Sequence, residues 1–427
     1  MKRLNINNGL KKNPFIKNVA IMATGTAGAQ AVTMLLSPII TRLYGPEAFG
    51  IMGTFTALTG IITPVVALTY PIAIVLPKSD HVAKGLIKLS LYVTIIITII
   101  TSLILVFFNN SIVSLFQLEE IKSFMYLIPV VIFFSGLMQV YEQWLIRTNQ
   151  FLINAKARLL QAIITNMGKV GLGLVYPLAT VLVSIQAITN GIRAVIMMLY
   201  ERKSSYKIST VHNEIILPVR KLAKKYIDFP LYRAPEVFIS SISQNLPVLL
   251  LTSLFGPVAA GLYNIGRMVL GLPSMLIGQA IGDVFYPRIS EAANKREDLA
   301  KLIKKATLLL GGIGIIPFGI VIFFGPLLFE FVFGAEWNAA GEYARWIALA
   351  SYSIFINKPS VRAMPVLNAQ RFHLLFTILV LIIRSSTLVI GFFIFESDIV
   401  AVALFGISSL ILNLLLIWIT LIISKKI

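Results

Sequence analysis

Leu89–Phe108 is a run of twenty residues without a single charge, and Ile399–Ile423 is a longer one. About 20 apolar residues in a helix cross the ~30 Å hydrocarbon core of a bilayer. Inside hydrocarbon a helix satisfies its own backbone, which an open sheet edge cannot do. These runs therefore commit the chain to membrane-spanning helices. Composition extends the conclusion to all 427 residues, of which 57% are hydrophobic and 13% charged. A soluble domain carries about 25% charged residues, so this chain lacks the charge to cover a water-facing surface. The expected fold class is an all-α polytopic membrane protein, which excludes a soluble enzyme, a DNA-binding domain and a disulfide-stapled secreted domain.

Charges and turn residues divide the chain into twelve expected spans: 16–41, 47–76, 84–108, 121–146, 152–175, 178–200, 229–254, 257–286, 300–323, 340–366, 373–395 and 399–423. Leu43-Tyr44-Gly45-Pro46-Glu47 and Phe255-Gly256-Pro257 read as tight turns, and Phe108–Ser111 and Glu396–Asp398 as polar caps. The net charge of +19 is distributed along this topology. The N-terminus and every second gap hold 27 basic residues, whereas the opposite gaps hold only Arg42 and Lys122 beside seven acids. Lys and Arg resist translocation and set orientation, so both termini are expected in the cytoplasm. The excess charge is thus a topology signal, and no nucleic-acid partner is inferred from it. Met1–Lys17 is basic and polar and leads into a full span with no small-residue cleavage site, so the first helix is expected to act as its own targeting signal.

The basic stretch Glu201–Asp228 separates six spans from six, giving expected divisions at 1–202, 203–228 and 229–427, with the linker lying on anionic headgroups. The halves echo one another: Leu43-Tyr44-Gly45-Pro46-Glu47-Ala48-Phe49-Gly50 has the register of Leu254-Phe255-Gly256-Pro257-Val258-Ala259-Ala260-Gly261. Six spans per half keep the two copies in the same orientation. Parallel repeats of this kind are a transporter architecture, with a substrate site expected between the bundles. On the first span, Ala20, Thr24, Gly28 and the pair Gly25, Ala29 offer two faces for close helix approach.

Catalytic and cofactor chemistry is missing. There is no cysteine, hence no thiolate, disulfide or zinc–thiolate site. Gly256 and Gly261 have P-loop spacing, but Leu262-Tyr263 follow where Lys-Ser/Thr would be needed. The three histidines, His81, His212 and His373, are too dispersed for a metal pair. No enzyme activity and no cofactor are expected, and the work of the chain is movement.

Apart from the bases at span ends already counted with the gaps, eight basic residues fall within spans: Lys169, Arg193, Arg233, Arg267, Arg345, Lys358, Arg362 and Arg384. A charge at mid-bilayer costs at least ~2.5–3.5 kcal/mol on insertion scales, so such residues face a cavity or a partner. Arg233 has Glu236 one turn away and Arg345 has Glu342, while Arg193 and Arg362 are read as snorkelling toward the cytoplasm. Lys169, Arg267, Lys358 and Arg384 have no acid at helical spacing. With polar side chains such as Gln30, Gln244 and Asn264, they describe a hydrated, net-basic chamber suited to an anion with a hydroxyl-rich headgroup.

The segment Ile40-Thr41-Arg42-Leu43-Tyr44-Gly45-Pro46-Glu47-Ala48-Phe49-Gly50, followed by Pro71-Ile72-Ala73-Ile74-Val75-Leu76-Pro77, resembles polysaccharide repeat-unit flippases of the Wzx type. These belong to the multidrug/oligosaccharidyl-lipid/polysaccharide (MOP) exporter superfamily. Tyr263-Asn264-Ile265-Gly266-Arg267, with Leu272-Pro273 and Pro287, is similar to the eighth span of the related lipid II flippases. The resemblance implies a V-shaped pair of six-helix bundles in the bacterial inner membrane, working as a monomer. It implies transfer of an undecaprenyl-diphosphate-linked oligosaccharide from the cytoplasmic to the periplasmic leaflet, for O-antigen or capsule synthesis. The polymerase and chain-length regulator of the same pathway would be partners. By motif match Arg267 carries over as a diphosphate ligand. The lipid II group also has an arginine deep in its first span, and Ala23–Ala31 has none here; Lys169 is the candidate left for the first bundle. The alternative is a cation or drug antiporter of the same superfamily, which would want membrane-embedded carboxylates.

The charge asymmetry generates a topological prediction. Single cysteines at Asn110, Asn338 and Ser397 should react with an impermeant thiol reagent added outside intact spheroplasts, and cysteines at Ser204 and Asn294 should not. Labelling at Ser204 from outside would reverse the orientation.

Overall fold

The computed structural model describes residues 14–202 and 218–425. The N-terminus and residues 203–217 of the expected linker, Lys203, Ser204 and Lys207 among them, lie outside the described residues. There is no strand among those described. Thirteen α-helices follow in order: α1 (Pro14–Leu43), α2 (Pro46–Ile62), α3 (Asp80–Phe116), α4 (Ile128–Arg147), α5 (Phe151–Gly173), α6 (Ala179–Arg202), the short α7 (Val219–Lys225), α8 (Ala234–Phe255), α9 (Pro257–Asn294), α10 (Leu299–Phe333), α11 (Asn338–Ala363), α12 (Gln370–Phe395) and α13 (Asp398–Ser424). Twelve of these are long, one for each expected span. Nine segments among the described residues are long and apolar enough to cross a membrane. Three further helices of comparable length, α5, α9 and α11, carry Lys169, Arg267 and Lys358.

Several boundaries differ from the expectation, three of them with a clear cause. The second span does not run unbroken to residue 76. Pro64 and Pro71 remove backbone donors, and α2 gives way to two 3-10 turns, Thr63–Val65 and Tyr70–Val75. Between them Leu68 and Thr69 take left-handed φ values of 48° and 57°. Phe108–Ser111 is not a cap, because α3 continues through it to Phe116 and ends at Gln117. Asn109 is buried within the helix, and its Nδ2 donates to the Lys122 carbonyl at 3.3 Å without a chain break. Finally, α10 runs on past residue 323 to Phe333 through Pro317 and Pro326.

The described residues separate into two units. One contains the chain up to Tyr44 together with Thr54–Asn245; the other contains Gly45–Gly53 with Leu246–Ile427. In the first unit α1 lies along α5, and α6 packs on both α4 and α5. Gly25 makes the α1–α5 approach possible, since a Cβ there would sit 2.5 Å from that of Ala155. The Tyr44 hydroxyl donates to the Lys169 carbonyl at 2.8 Å and ties the end of α1 to α5. At its α3 end, Arg147 donates to Asp80 at 2.9 Å and to the carbonyls of Ile74 and Pro77, fixing α4 to the start of α3 and to the second 3-10 turn. The short α7 inserts Leu222, wholly buried, into a core with Tyr70, Leu86 and Trp144, and leaves Arg220, Lys221, Lys224 and Lys225 exposed.

In the second unit α11 is the hub, with α9, α10 and α13 packed around it. Its approach to α10 runs through Gly341 and Gly325, and α13 comes within reach because Gly406 sits over the Trp346 carbonyl. Tyr343 donates to Asp398 at 2.6 Å and joins α11 to the start of α13. The two repeated motifs also meet in this unit, and they do so reciprocally. A methyl group on Gly50 would fall 1.7 Å from the Pro257 carbonyl oxygen, and one on Gly261 would fall 2.0 Å from the Pro46 carbonyl oxygen. Residues in equivalent positions of the repeat thus contact each other's helix starts, and neither glycine has room for a side chain. Gly256, at φ 85°, supplies the turn that brings Pro257 into place.

Overpacking a close-packed site costs about 1–3 kcal/mol. Gly50→Ala and Gly261→Ala should each lower the melting temperature of purified protein by several degrees. Gly319→Ala, on an open face of α10, should leave it unchanged or slightly raised.

Candidate anion site

Every membrane-embedded base must be solvated, paired or left for a ligand, and the structure sorts them. Arg193 does not snorkel. Its Nη2 donates to Glu142 Oε1 and Asn154 Oδ1, both at 2.8 Å, and its side chain is only 10% exposed. Burial makes reaching water costly, and a carboxylate on α4 stands within range, so the ion pair wins. Arg233 pairs with Glu236 at 2.8 Å and Arg345 with Glu342 at 3.0 Å, as their spacing implied. Arg362 is exposed. Lys358 Nζ donates to the Ser274 carbonyl of α9 at 2.5 Å and lies over the Phe355 ring. Lys169 donates to Gln186 at 3.3 Å, between α5 and α6.

Arg267 and Arg384 stand apart from this pattern. Among the described residues neither has an acidic partner, and Arg267 has no hydrogen bond. Tyr263, Asn264 and Arg267 share one face of α9 by helical spacing. The guanidinium groups of Arg267 on α9 and Arg384 on α12 both bear electrostatically on the buried Tyr263. Arg384 also lies 5.6 Å over the Phe405 ring, an arrangement that offsets part of a cation's desolvation. Its Nε is buried without an acceptor, and so is the Asn264 Nδ2, which abuts Gly53. Two positive charges thus act on one buried tyrosine, an Arg384 N–H and an Asn264 amide N–H are buried without acceptors, and no acid among the described residues answers them. Such a set can hold an anion with several acceptor oxygens.

The other expected site residues are dispersed. Gln30 is half-buried on α1 and Lys169 lies on α5, both in the first unit. Gln244 is bonded at its exposed end to Ser240. Lys358 belongs with Arg267 and Arg384 in the second unit, where its charge is tied to a helix carbonyl. Arg158 was overlooked in the sequence because it counts among the bases of the gap before the fifth span. It sits two turns inside α5, where its Nη1 donates to Thr26 at 2.5 Å and its Nη2 to Glu142 at 3.2 Å. The signal was available: residue 158 lies within the expected span 152–175. A separate surface cleft of about 300 Å³, lined by Asp228, Phe229, Tyr232, Arg233 and Glu236, contains none of the expected site residues.

The family of polysaccharide biosynthesis proteins matches residues 39–342 of the sequence. The chain belongs to that family. No curated relative matches this polysaccharide biosynthesis protein. Its fold is that of an inward-facing multidrug resistance MATE family transporter of the MOP superfamily, at 12% identity over 93% of this chain and 96% of that one, with a TM-score of 0.76. The lipid II flippase MurJ, in an inward closed conformation, is similar at 14% identity over 96% and 88% of the two chains, with a TM-score of 0.69. A Vibrio cholerae MATE transporter matches at 14% identity, over 97% and 96%, with a TM-score of 0.56. The polysaccharide biosynthesis protein thus has the all-helical fold of MOP-superfamily transporters.

Removing one member of a buried ion pair costs about 3–5 kcal/mol, because the other charge is stranded; an exposed pair is worth about 0–1 kcal/mol. Thermal unfolding in detergent should show this difference. Glu142→Gln strands Arg193 and should lower the melting temperature sharply, whereas Glu236→Gln should change it little.

Proposed function

We propose that this protein is a flippase that carries undecaprenyl-diphosphate-linked oligosaccharide repeat units from the cytoplasmic to the periplasmic leaflet of the bacterial inner membrane, by alternating access. The observation that carries the reading is the pair Arg267 and Arg384, both acting electrostatically on the buried Tyr263 and neither with an acidic partner among the described residues, with Arg384 Nε buried without an acceptor. A diphosphate supplies that charge, and the planar guanidinium fork matches its oxygens bidentately. Membership of a polysaccharide biosynthesis family and a fold shared with a lipid II flippase support the same cargo class. Arg267 lies about ten residues into its helix, roughly 15 Å from its start at 1.5 Å per residue, deep enough that a headgroup must leave the surface to meet it. Arg267, Arg384 and Asn264 of the second unit bind the diphosphate; Lys358 in that unit, and Lys169, Gln30 and Gln244 in the first, each offer the glycan a polar contact. Both termini face the cytoplasm, and the polymerase and chain-length regulator receive the product.

A cation or drug antiporter would need a free carboxylate within the membrane. Among the described residues Glu142 and Glu236 are each engaged by arginine, which disfavours that reading; the side chain of Asp283, the third acid expected within a span, lies outside the described residues. Lipid-diphosphate glycan should raise the melting temperature of the purified protein, and cationic dyes should not. Arg267→Ala should abolish surface polysaccharide while the protein reaches the membrane at normal levels. Arg267→Lys should retain partial activity, keeping the charge but losing the fork. If Arg267→Ala lowers membrane abundance and the surviving protein still flips normally, Arg267 is structural and the assignment fails.

A further inference from the structure

The first unit contains a cation that is only partly compensated, and its surroundings are built. Glu142 Oε1 accepts from three donors: Arg193 Nη2 at 2.8 Å, Arg158 Nη2 at 3.2 Å and Asn154 Nδ2 at 3.4 Å. One carboxylate therefore faces two guanidinium groups. They do not share it equally. Arg193 is 10% exposed and makes two bonds at 2.8 Å, the second to Asn154 Oδ1. Arg158 is 28% exposed, holds the carboxylate by the longer contact, and gives its other bond to the neutral hydroxyl of Thr26. The charge of Glu142 is mostly spent on the enclosed arginine. The positive charge left over resides on Arg158, the more accessible of the two.

Its location follows from packing. Residues Ala23–Ala31 of α1 carry no base, and Gly25 lets α5 approach until Ala155 touches the α1 backbone position. One turn beyond Ala155, Arg158 reaches across to Thr26, so a cation appears on the surface of α1 although α5 supplies it. Arg158 is seven residues into α5, about 10 Å along its axis. Thr26 and Glu142 hold its guanidinium from two other helices, so little side-chain freedom remains to be lost when a ligand binds.

We infer that Arg158, held by Thr26 and Glu142, is a phosphate-binding group of the first unit, and that it takes the diphosphate headgroup of a lipid-linked substrate. This rests on the flippase reading above and assigns the first-bundle ligand to Arg158 in place of Lys169, which is bonded to Gln186. The test uses the full-length protein in zwitterionic nanodiscs and measures affinity for undecaprenyl diphosphate and for undecaprenol, which has the same tail without phosphate. Arg158→Ala should weaken the diphosphate at least tenfold and leave undecaprenol unchanged; Arg158→Lys should recover part of the loss. Should Arg158→Ala prove too unstable to purify, Arg158→Gln keeps donors toward Thr26 and Glu142 without the charge, and the same selective loss is expected. Unchanged binding of both lipids, or equal loss of both, overturns the assignment; the flippase reading then stands if Arg267→Ala still loses the diphosphate selectively. If the unaltered protein does not bind undecaprenyl diphosphate, the flippase reading itself fails and this assignment goes with it.

Discussion

Scarcity of negative charge in a low-dielectric medium governs this structure. A guanidinium in hydrocarbon needs a carboxylate, a set of carbonyls, an aromatic face or a ligand, and its energetic penalty fixes which side chains approach which. Where an acid is within reach, the base becomes part of the scaffold. Arg147 gathers Asp80 and three carbonyls, and Arg193 takes Glu142 and Asn154. Where no acid is within reach, the base keeps its charge for something else. Among the described residues Arg267 and Arg384, which both act on Tyr263, are in that position, and Arg158 is close to it.

Helix packing decides how far those charges can reach. Without a hydrophobic force between helices in lipid, small residues and close backbone contact bring them together. Gly25 admits Ala155, Gly341 admits Pro326, and Gly406 admits the Trp346 carbonyl. Each approach also sets the register of polar groups on either side. Gly53 is one such case: Asn264 fills the space where its side chain would be, which places the Asn264 amide one turn from Arg267. The reciprocal seating of Gly50 on Pro257 and Gly261 on Pro46 turns a sequence repeat into a physical contact between its two copies.

The same division separates structural from functional arginines. An ion-paired arginine loses stability when its partner is removed, and an unpaired one loses its ligand when it is itself removed. Arg158 has something of both, since Glu142 holds it in place without fully neutralising it. A partly compensated cation of this kind is easier to bury than a bare one, and still attractive to a multivalent anion.

Much of this was legible in the sequence, because hydrophobic run length and charge are local properties. The twelve long helices, the turn at Gly256-Pro257 and the pairs Arg233–Glu236 and Arg345–Glu342, three residues apart, all follow from spacing along one chain segment. Arg267 stood out for the same reason, having no acid one turn away. Three features could not be read that way. The break of α2 at Pro64 depended on what else could accept the chain there, namely the carbonyls of Ala223 and Phe229 that bond Tyr70 and Thr69. The continuation of α3 through Asn109 depended on the carbonyl of Lys122, thirteen residues away. The partnership of Arg193 and Arg158 with Glu142, and of Arg384 with Tyr263 and Phe405, joins residues on different helices. Sequence alone determined that the chain spans a membrane as helices and carries more positive than negative charge into it. Tertiary structure decided which of those charges are cancelled, because cancellation depends on distances between helices, and those are set by the small residues at which the helices touch.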